Sequence, residues 1–132
     1  MLTIRKADPE ELPMELLLLA DPSAQRIRRY LIGAHVFVGI NNAVPVSVLV
    51  MRWRNADEAE IMNVAVALEY QRTGIGRAMM EFAAEYAKVR GATMVSVGTG
   101  NSSLGELRFY QPGRNQRLHV GRLLLRFIPL GR

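Results

Sequence analysis

The sequence predicts an α/β domain of the α+β kind: a mixed, mainly antiparallel central sheet flanked by helices, in the order β-α-α-β-β-β-α-β-α-β. Three observations predict it. Apolar residues alternate at period two over residues 36–50, the mark of paired, half-buried strands. Residues 75–87 switch to helical spacing, with Ile75, Ala78, Met79, Phe82, Ala83, Tyr86 and Ala87 along one stripe. A short β-branched run, Thr93 to Gly98, then follows that helix, as a crossover back into the sheet requires. At 132 residues the chain suffices for one domain with a sizeable core and not for two. The whole chain, 1–132, is therefore read as a single domain.

Leu2 and Ile4 alternate with Thr3 and Arg5, giving a short edge-like strand that stops before Asp8, a helix N-cap. Leu16 to Ala20 and Arg26 to Leu31 read as two helices joined at Asp21-Pro22-Ser23, where Asp21 or Ser23 caps the second. Val36, Val38 and Ile40 lead through the turn dipeptide Asn41-Asn42 into Val46, Val48 and Val50, which alternate with Ser47, Leu49 and Met51. A second turn at Asn55-Ala56-Asp57 introduces a third strand, residues 58–67. The helix beginning near Ile75 ends at Arg90-Gly91, with a basic last turn and a glycine beyond it. A second helix is expected from Ser102 or Ser103 to Tyr110, and a last strand over residues 118–128.

The formal charge of +5 would ordinarily suggest a nucleic-acid or anionic-membrane partner. Its distribution argues otherwise. Through Gln111 twelve basic and twelve acidic residues cancel, and the excess lies in residues 112–132, which hold five arginines and no acid. With no cysteine there is no disulfide framework, thiol nucleophile or zinc-thiolate site, and His35 and His119 are too isolated to suggest a metal. No apolar run approaches the ~18 residues of a membrane span, and the start lacks a signal-like apolar segment. A cytoplasmic protein is expected, with no membrane partner and no metal.

Gln71 to Arg77 is the most informative segment. Two glycines, Gly74 and Gly76, stand between a strand and a long helix. Glycine lets a backbone approach an anion closely, and the N–H groups of a helix start converge with the positive end of its dipole. Arg72 and Arg77 add full charges. Tight turns and helix packing also select glycine, so the pair alone leaves a purely structural loop open. A dinucleotide fold would need a third glycine at the start of an alternating βα chain, and a Walker loop needs Gly-Lys-Ser/Thr; neither is present.

Gln71-Arg72-Thr73-Gly74-Ile75-Gly76 resembles the acyl-coenzyme A loop, Gln/Arg-x-x-Gly-x-Gly/Ala, of the GCN5-related N-acetyltransferase (GNAT) family. The resemblance extends through Asn63-Val64-Ala65-Val66 before the loop and Gly76-Arg77-Ala78-Met79-Met80 after it, and the element order carries it over residues 1–111. Val97 to Ser103, Val-Gly-Thr-Gly-Asn-Ser-Ser, is similar to a stretch in small bacterial members. The resemblance implies acetyl transfer from acetyl-coenzyme A to an amine by direct attack. It implies the pyrophosphate on the amides of Gln71, Arg72, Thr73, Gly74, Ile75, Gly76 and Arg77, with the pantetheine arm along Val64, Ala65 and Val66 beside a β-bulge. It further implies Tyr110 as the acid that protonates the departing thiolate, although a tyrosine at a helix end also anchors packing. Glu60 corresponds to a carboxylate that in some members accepts the amine proton through water. By simple alternation Glu60, Met62, Val64 and Val66 share one face, opposite Ile61, Asn63 and Ala65. The other reading makes Asp57, Glu58 and Glu60 an exposed acidic turn. Asn101, Ser102 and Ser103 fit a helix cap better than a coenzyme contact, and Trp53 with Met51 fits core or pocket wall.

The resemblance stops after Tyr110-Gln111. Family members continue with a basic residue, Gly-Phe and two further strands; here Pro112-Gly113-Arg114 opens the Arg- and Leu-rich tail, and the Gly-Phe and second strand are absent. A shift of reading frame after about Gln111 accounts for both changes at one point. The exposed edge this leaves favours a homodimer. Two alternatives to an active enzyme are a protein that binds coenzyme A without turnover and a module whose basic tail contacts nucleic acid or acidic lipid. The amine is not specified by the sequence, and nucleic acid is disfavoured by the neutral body.

Overall fold

Short apolar alternation at the start forms β1 (Leu2–Lys6), which pairs antiparallel with β2 (His35–Asn41). The computed structural model describes residues 1–97, 117–119 and 124–126. Between these strands Asp8 caps a 3-10 turn, Pro9–Glu11, in a capping box with Glu11. Two short helices follow, α1 (Met14–Ala20) and α2 (Ala24–Leu31). Ser23 caps α2 by accepting from the Arg26 N–H at 3.1 Å, which settles the sequence alternative in favour of Ser23.

The β2 to β3 (Val44–Trp53) hairpin turns at Asn42 and Ala43, whose φ angles are 53° and 67°. The turn thus sits one residue later than Asn41-Asn42. β4 (Glu58–Val66) follows antiparallel to β3, and α3 (Ile75–Val89) crosses to β5 (Met94–Val97), which runs parallel to β4. Two short strands, β6 (Arg117–His119) and β7 (Leu124–Arg126), pair with each other, and β7 pairs with β5. The sheet order is β1-β2-β3-β4-β5-β7-β6. The single strand expected over 118–128 is therefore corrected to two strands of a hairpin, and the second strand thought missing is present. The antiparallel pairing of Leu118 with Leu125 is what rules out one continuous strand. The helix expected to end at Tyr110 lies outside the described residues, as do Asn101, Ser102 and Ser103.

α3 covers one face of the sheet, over Phe37, Leu49, Met51, Ile61, Val64 and Val66, and α1 with α2 covers the other, over Val36, Val38, Val48, Val50 and Ala65. Two bulges reset which side chains go where. The β2–β3 register shifts between Gly39 and Ile40, so Val46 packs with Leu49 and Met51 rather than with Val48 and Val50. The β3–β4 register shifts between Val50, opposite Asn63, and Met51, opposite Ile61, leaving Met62 as the extra residue. The uniform alternation of Glu60, Met62, Val64 and Val66 is thereby overturned. Ala59, Ile61, Val64 and Val66 pack beneath α3, while Met62 and Ala65 pack toward α1 and α2, with Glu60 on that same side by alternation.

Candidate active site

The loop that joins β4 to α3 is folded back on its own strand. A 3-10 turn, Leu68–Tyr70, leaves the strand; the Gln71 side-chain amide donates to the Val66 carbonyl at 3.0 Å, and the Thr73 hydroxyl donates to the Tyr70 carbonyl. Arg72 has φ 66° and Gly74 φ 90°, so two residues of the loop are left-handed. A Cβ on Gly74 would meet nothing within 4 Å, so glycine serves the backbone angle there and not a lack of space. Ile75 and Gly76 are buried and anchor the first turn of α3, whereas Gln71, Arg72, Thr73, Gly74 and Arg77 are exposed. The first intrahelical bond is Ala78 N–H to Gly74 carbonyl, and no side chain caps the helix. The N–H groups of Ile75 and Gly76 thus lie ahead of the helical ladder at its positive end, a concavity of the kind that receives an anion.

Beside the loop, β4 offers an edge. Its parallel pairing with β5 covers Glu58 to Ile61 and ends at the register pair Ile61 and Val97, one residue before the bulge. On its other side Asn63 to Val66 remain bonded to β3. Among the described residues, no strand pairs with the β5-side edge of Met62 to Val66. An extended ligand added there would take main-chain hydrogen bonds as a further strand does.

Two polar groupings lie on the α1–α2 side of this strand. Glu58 accepts from Ser96 Oγ at 2.8 Å and lies 3.8 Å from Arg54 Nε; Glu60 lies 3.9 Å from Arg54 Nη1 with its side chain 15% exposed. The exposed acidic turn is corrected accordingly: only Asp57 is solvent-facing, and Glu58 and Glu60 are drawn in by strand geometry beside Arg54. The second grouping is buried. Asn63, 1% exposed, donates its two Nδ2 hydrogens to the Leu17 carbonyl at 3.1 Å and to the Tyr30 hydroxyl at 2.8 Å. Tyr30 donates to Asp21 at 3.1 Å, and Asp21 also accepts from Arg26 Nε and Nη2 at 3.0 and 2.7 Å and from the Ser23 N–H at 3.0 Å. The Arg26 hydrogen bond, ahead of the burial that opposes it, holds the Asp21 carboxyl below its ordinary range. Burial pushes the Tyr30 phenol up to about 12. The Asn63 Oδ1 is left without a partner.

The structure brings Val64, Ala65, Val66 and the Gln71 to Arg77 loop into one continuous strand-loop-helix path, and places Glu60 two residues before the bulge that begins it. Tyr110 lies outside the described residues. Met51 is core, and Trp53 packs against the α3-side cluster. His35 sits against Tyr86, with 3.4 Å from its Nδ1 to the hydroxyl, and burial together with Lys6 and Arg90 keeps its pKa below the usual value. Among the described residues no group of three or more His, Asp or Glu is placed to hold a metal, and no helix is long and apolar enough to cross a membrane. Sequence reasoning missed the Asn63–Tyr30–Asp21–Arg26 chain. Its one visible signal is an asparagine inside the otherwise apolar run Ile61 to Val66.

Comparison with known proteins agrees with this geometry. A family model, the Acetyltransferase (GNAT) family, matches residues 5–113. The uncharacterized N-acetyltransferase YvbK of Bacillus subtilis is 36% identical over 97 residues, 74% of this chain and 63% of that protein, so the match spans less than two thirds of the relative. An IAA acetyltransferase from Bacillus cereus superposes with a TM-score of 0.78 at 30% identity, covering 98% of this chain and 100% of that one. A GNAT family acetyltransferase from Elizabethkingia anophelis with acetyl-CoA bound gives 0.78 at 27% identity, covering 96% and 97%.

Proposed function

Because this chain belongs to the acetyltransferase (GNAT) family, we propose that it transfers the acetyl group of acetyl-coenzyme A to a primary amine of a small molecule or peptide. The observation that carries the proposal is the joining of a strand edge, Met62 to Val66, that pairs with no strand among the described residues, to a left-handed glycine loop at a helix start. These features fit the donor: the loop amides and Arg72 receive its phosphates, and the edge at Val64, Ala65 and Val66 receives its amide-bearing arm. The bound donor supplies an acyl thioester. The amine nitrogen bonds to its carbonyl carbon, the carbon–sulfur bond breaks, and the thiolate leaves with a proton. We assign that proton to the Tyr110 hydroxyl and the amine's proton to Glu60 through water. We propose a cytoplasmic setting, and the neutral body up to Gln111 speaks against a nucleic-acid partner.

Calorimetric titration with acetyl-coenzyme A, followed by thiol detection across a panel of amines, tests the reading. Saturable binding and amine-dependent thiol release are expected, and release falls in Tyr110→Phe. Absence of binding overturns it, and binding without release on any amine points to a coenzyme-binding protein without turnover.

A further inference from the structure

We infer that the buried chain Asn63–Tyr30–Asp21 is a positioning device that sets where the acyl end of the donor comes to rest. The inference rests on the acetyl-transfer reading above. The glycine loop follows Val66, so an arm whose phosphates lie on Gln71 to Gly76 runs back along β4 from Val66 through Val64 and brings its far end to the bulge at Met62 and Asn63. Whatever fixes the bulge therefore fixes the reacting carbonyl.

Asn63 is the residue after the bulged Met62, and its side chain reaches off the sheet into both covering helices. One Nδ2 hydrogen meets the Leu17 carbonyl in the last turn of α1, and the other meets the Tyr30 hydroxyl on α2. The hydroxyl passes its own hydrogen to Asp21, at the corner between the helices, where Arg26 and the Ser23 N–H fix the carboxylate. From Asn63 through the Tyr30 hydroxyl the hydrogens run one way and end on the Asp21 charge, an arrangement that strengthens both bonds. The asparagine orientation is dictated, since neither the Leu17 carbonyl nor the engaged Tyr30 hydroxyl can donate to Oδ1. Oδ1 is consequently buried and unpartnered. A leucine at this position would fill the apolar surroundings without that orphaned oxygen, yet would release the bulge from α1 and α2. Directional hold on the bulge is what the asparagine adds.

The test compares wild type, Tyr30→Phe and Ile27→Val, the last a fully buried apolar neighbour on α2 whose side chain makes no hydrogen bond in the chain. Acetyl-coenzyme A binding is read by calorimetry, and kcat by thiol release on the best amine of the panel, at a temperature where circular dichroism shows all variants folded. Tyr30→Phe is expected to lower kcat about tenfold, with acetyl-coenzyme A affinity within twofold of wild type because the phosphate loop is untouched; Ile27→Val keeps both. Asp21→Asn, which retains shape and loses charge, is expected to lower kcat by a smaller factor and carries the test should Tyr30→Phe not fold. A kcat unchanged in Tyr30→Phe, or lowered equally in Ile27→Val, overturns the positioning role while leaving acetyl transfer intact. A wild type that neither binds acetyl-coenzyme A nor releases thiol overturns the acetyl-transfer reading, and this inference falls with it.

Discussion

The two faces of the sheet are closed by different means. Under α3 the contacts are apolar: Phe37 meets Phe82 and Tyr86 edge-on at centroid distances of 5.3 and 4.8 Å, and Leu49, Met51, Ile61, Met79 and Ala83 fill the remainder. Under α1 and α2 an apolar layer of Leu17, Ile27, Val38 and Val48 surrounds a hydrogen-bonded chain that ends on a carboxylate. Apolar packing scales with buried area and is indifferent to small slips, whereas a directional chain accepts one arrangement. The comparison separates labour: the α3 face supplies most of the cohesion and the α1–α2 face supplies definition at the bulge.

The largest expected effect tests the cohesive face. Phe37→Ala, at a position 1% exposed, should cost about 3–5 kcal/mol of unfolding free energy in denaturant titration. A loss below about 1 kcal/mol would break the contrast. Next, Gly39→Ala places a Cβ 2.1 Å from Ser47 Oγ and 3.2 Å from Leu2 and Met79, and should cost about 1–3 kcal/mol. Ser47 Oγ is buried without a partner, so Ser47→Ala alone should be close to neutral and the double variant should recover part of the loss, measured as coupling in a double-mutant cycle. Gly74→Ala should cost about 1 kcal/mol from its left-handed backbone and weaken acetyl-coenzyme A binding by calorimetry, while Gly33→Ala, also left-handed at φ 74° but remote from the loop, should affect stability alone. The smallest effect distinguishes the faces by acid. Asp21 is the one buried carboxylate among the described residues, and its pKa is depressed in the fold. Its contribution is present above its ordinary pKa and disappears as pH falls through the lower folded value. Thermal melts across that acid window should show a steeper slope in wild type than in Asp21→Asn, the remainder coming from carboxylates such as Glu11, which Arg5 also holds low.

Local chemistry was the legible part. Ser23, one of the two caps offered for the second helix, and the switch to helical spacing at Ile75 follow from neighbours within a few residues, and both took their expected place. What depended on register did not. Met62 carries no mark that distinguishes a bulged residue from a paired one, so counting by twos along β4 assigned Glu60 and Val64 to the same face. The Tyr30–Asn63 contact joins residues 33 apart, and its tyrosine reads in sequence as one more apolar helix residue. In the tail, the run of leucines concealed a reversal between His119 and Leu124. The family match ends at residue 113, whereas the comparison with the Bacillus cereus structure covers 98% of the chain. A frame shift after about Gln111 remains our proposal for that divergence. Translating the encoding DNA in its other two frames is expected to give a continuation containing Gly-Phe, and its absence from both would dispose of the idea.

The extra residue at Met62 has a consequence for how this protein tolerates change. A mutational scan along β4 should show a phase defect: upstream, intolerance to polar substitution falls on Ala59 and Ile61, and downstream it resumes on Val64 and Val66, three residues on rather than two. Deleting Met62 would bring both halves into one rhythm, with Ala59, Ile61, Val64 and Val66 alternating onto one face and the bulge removed. The strand is thus two short sentences with a pause between them, and the pause is where the proposed chemistry is spoken.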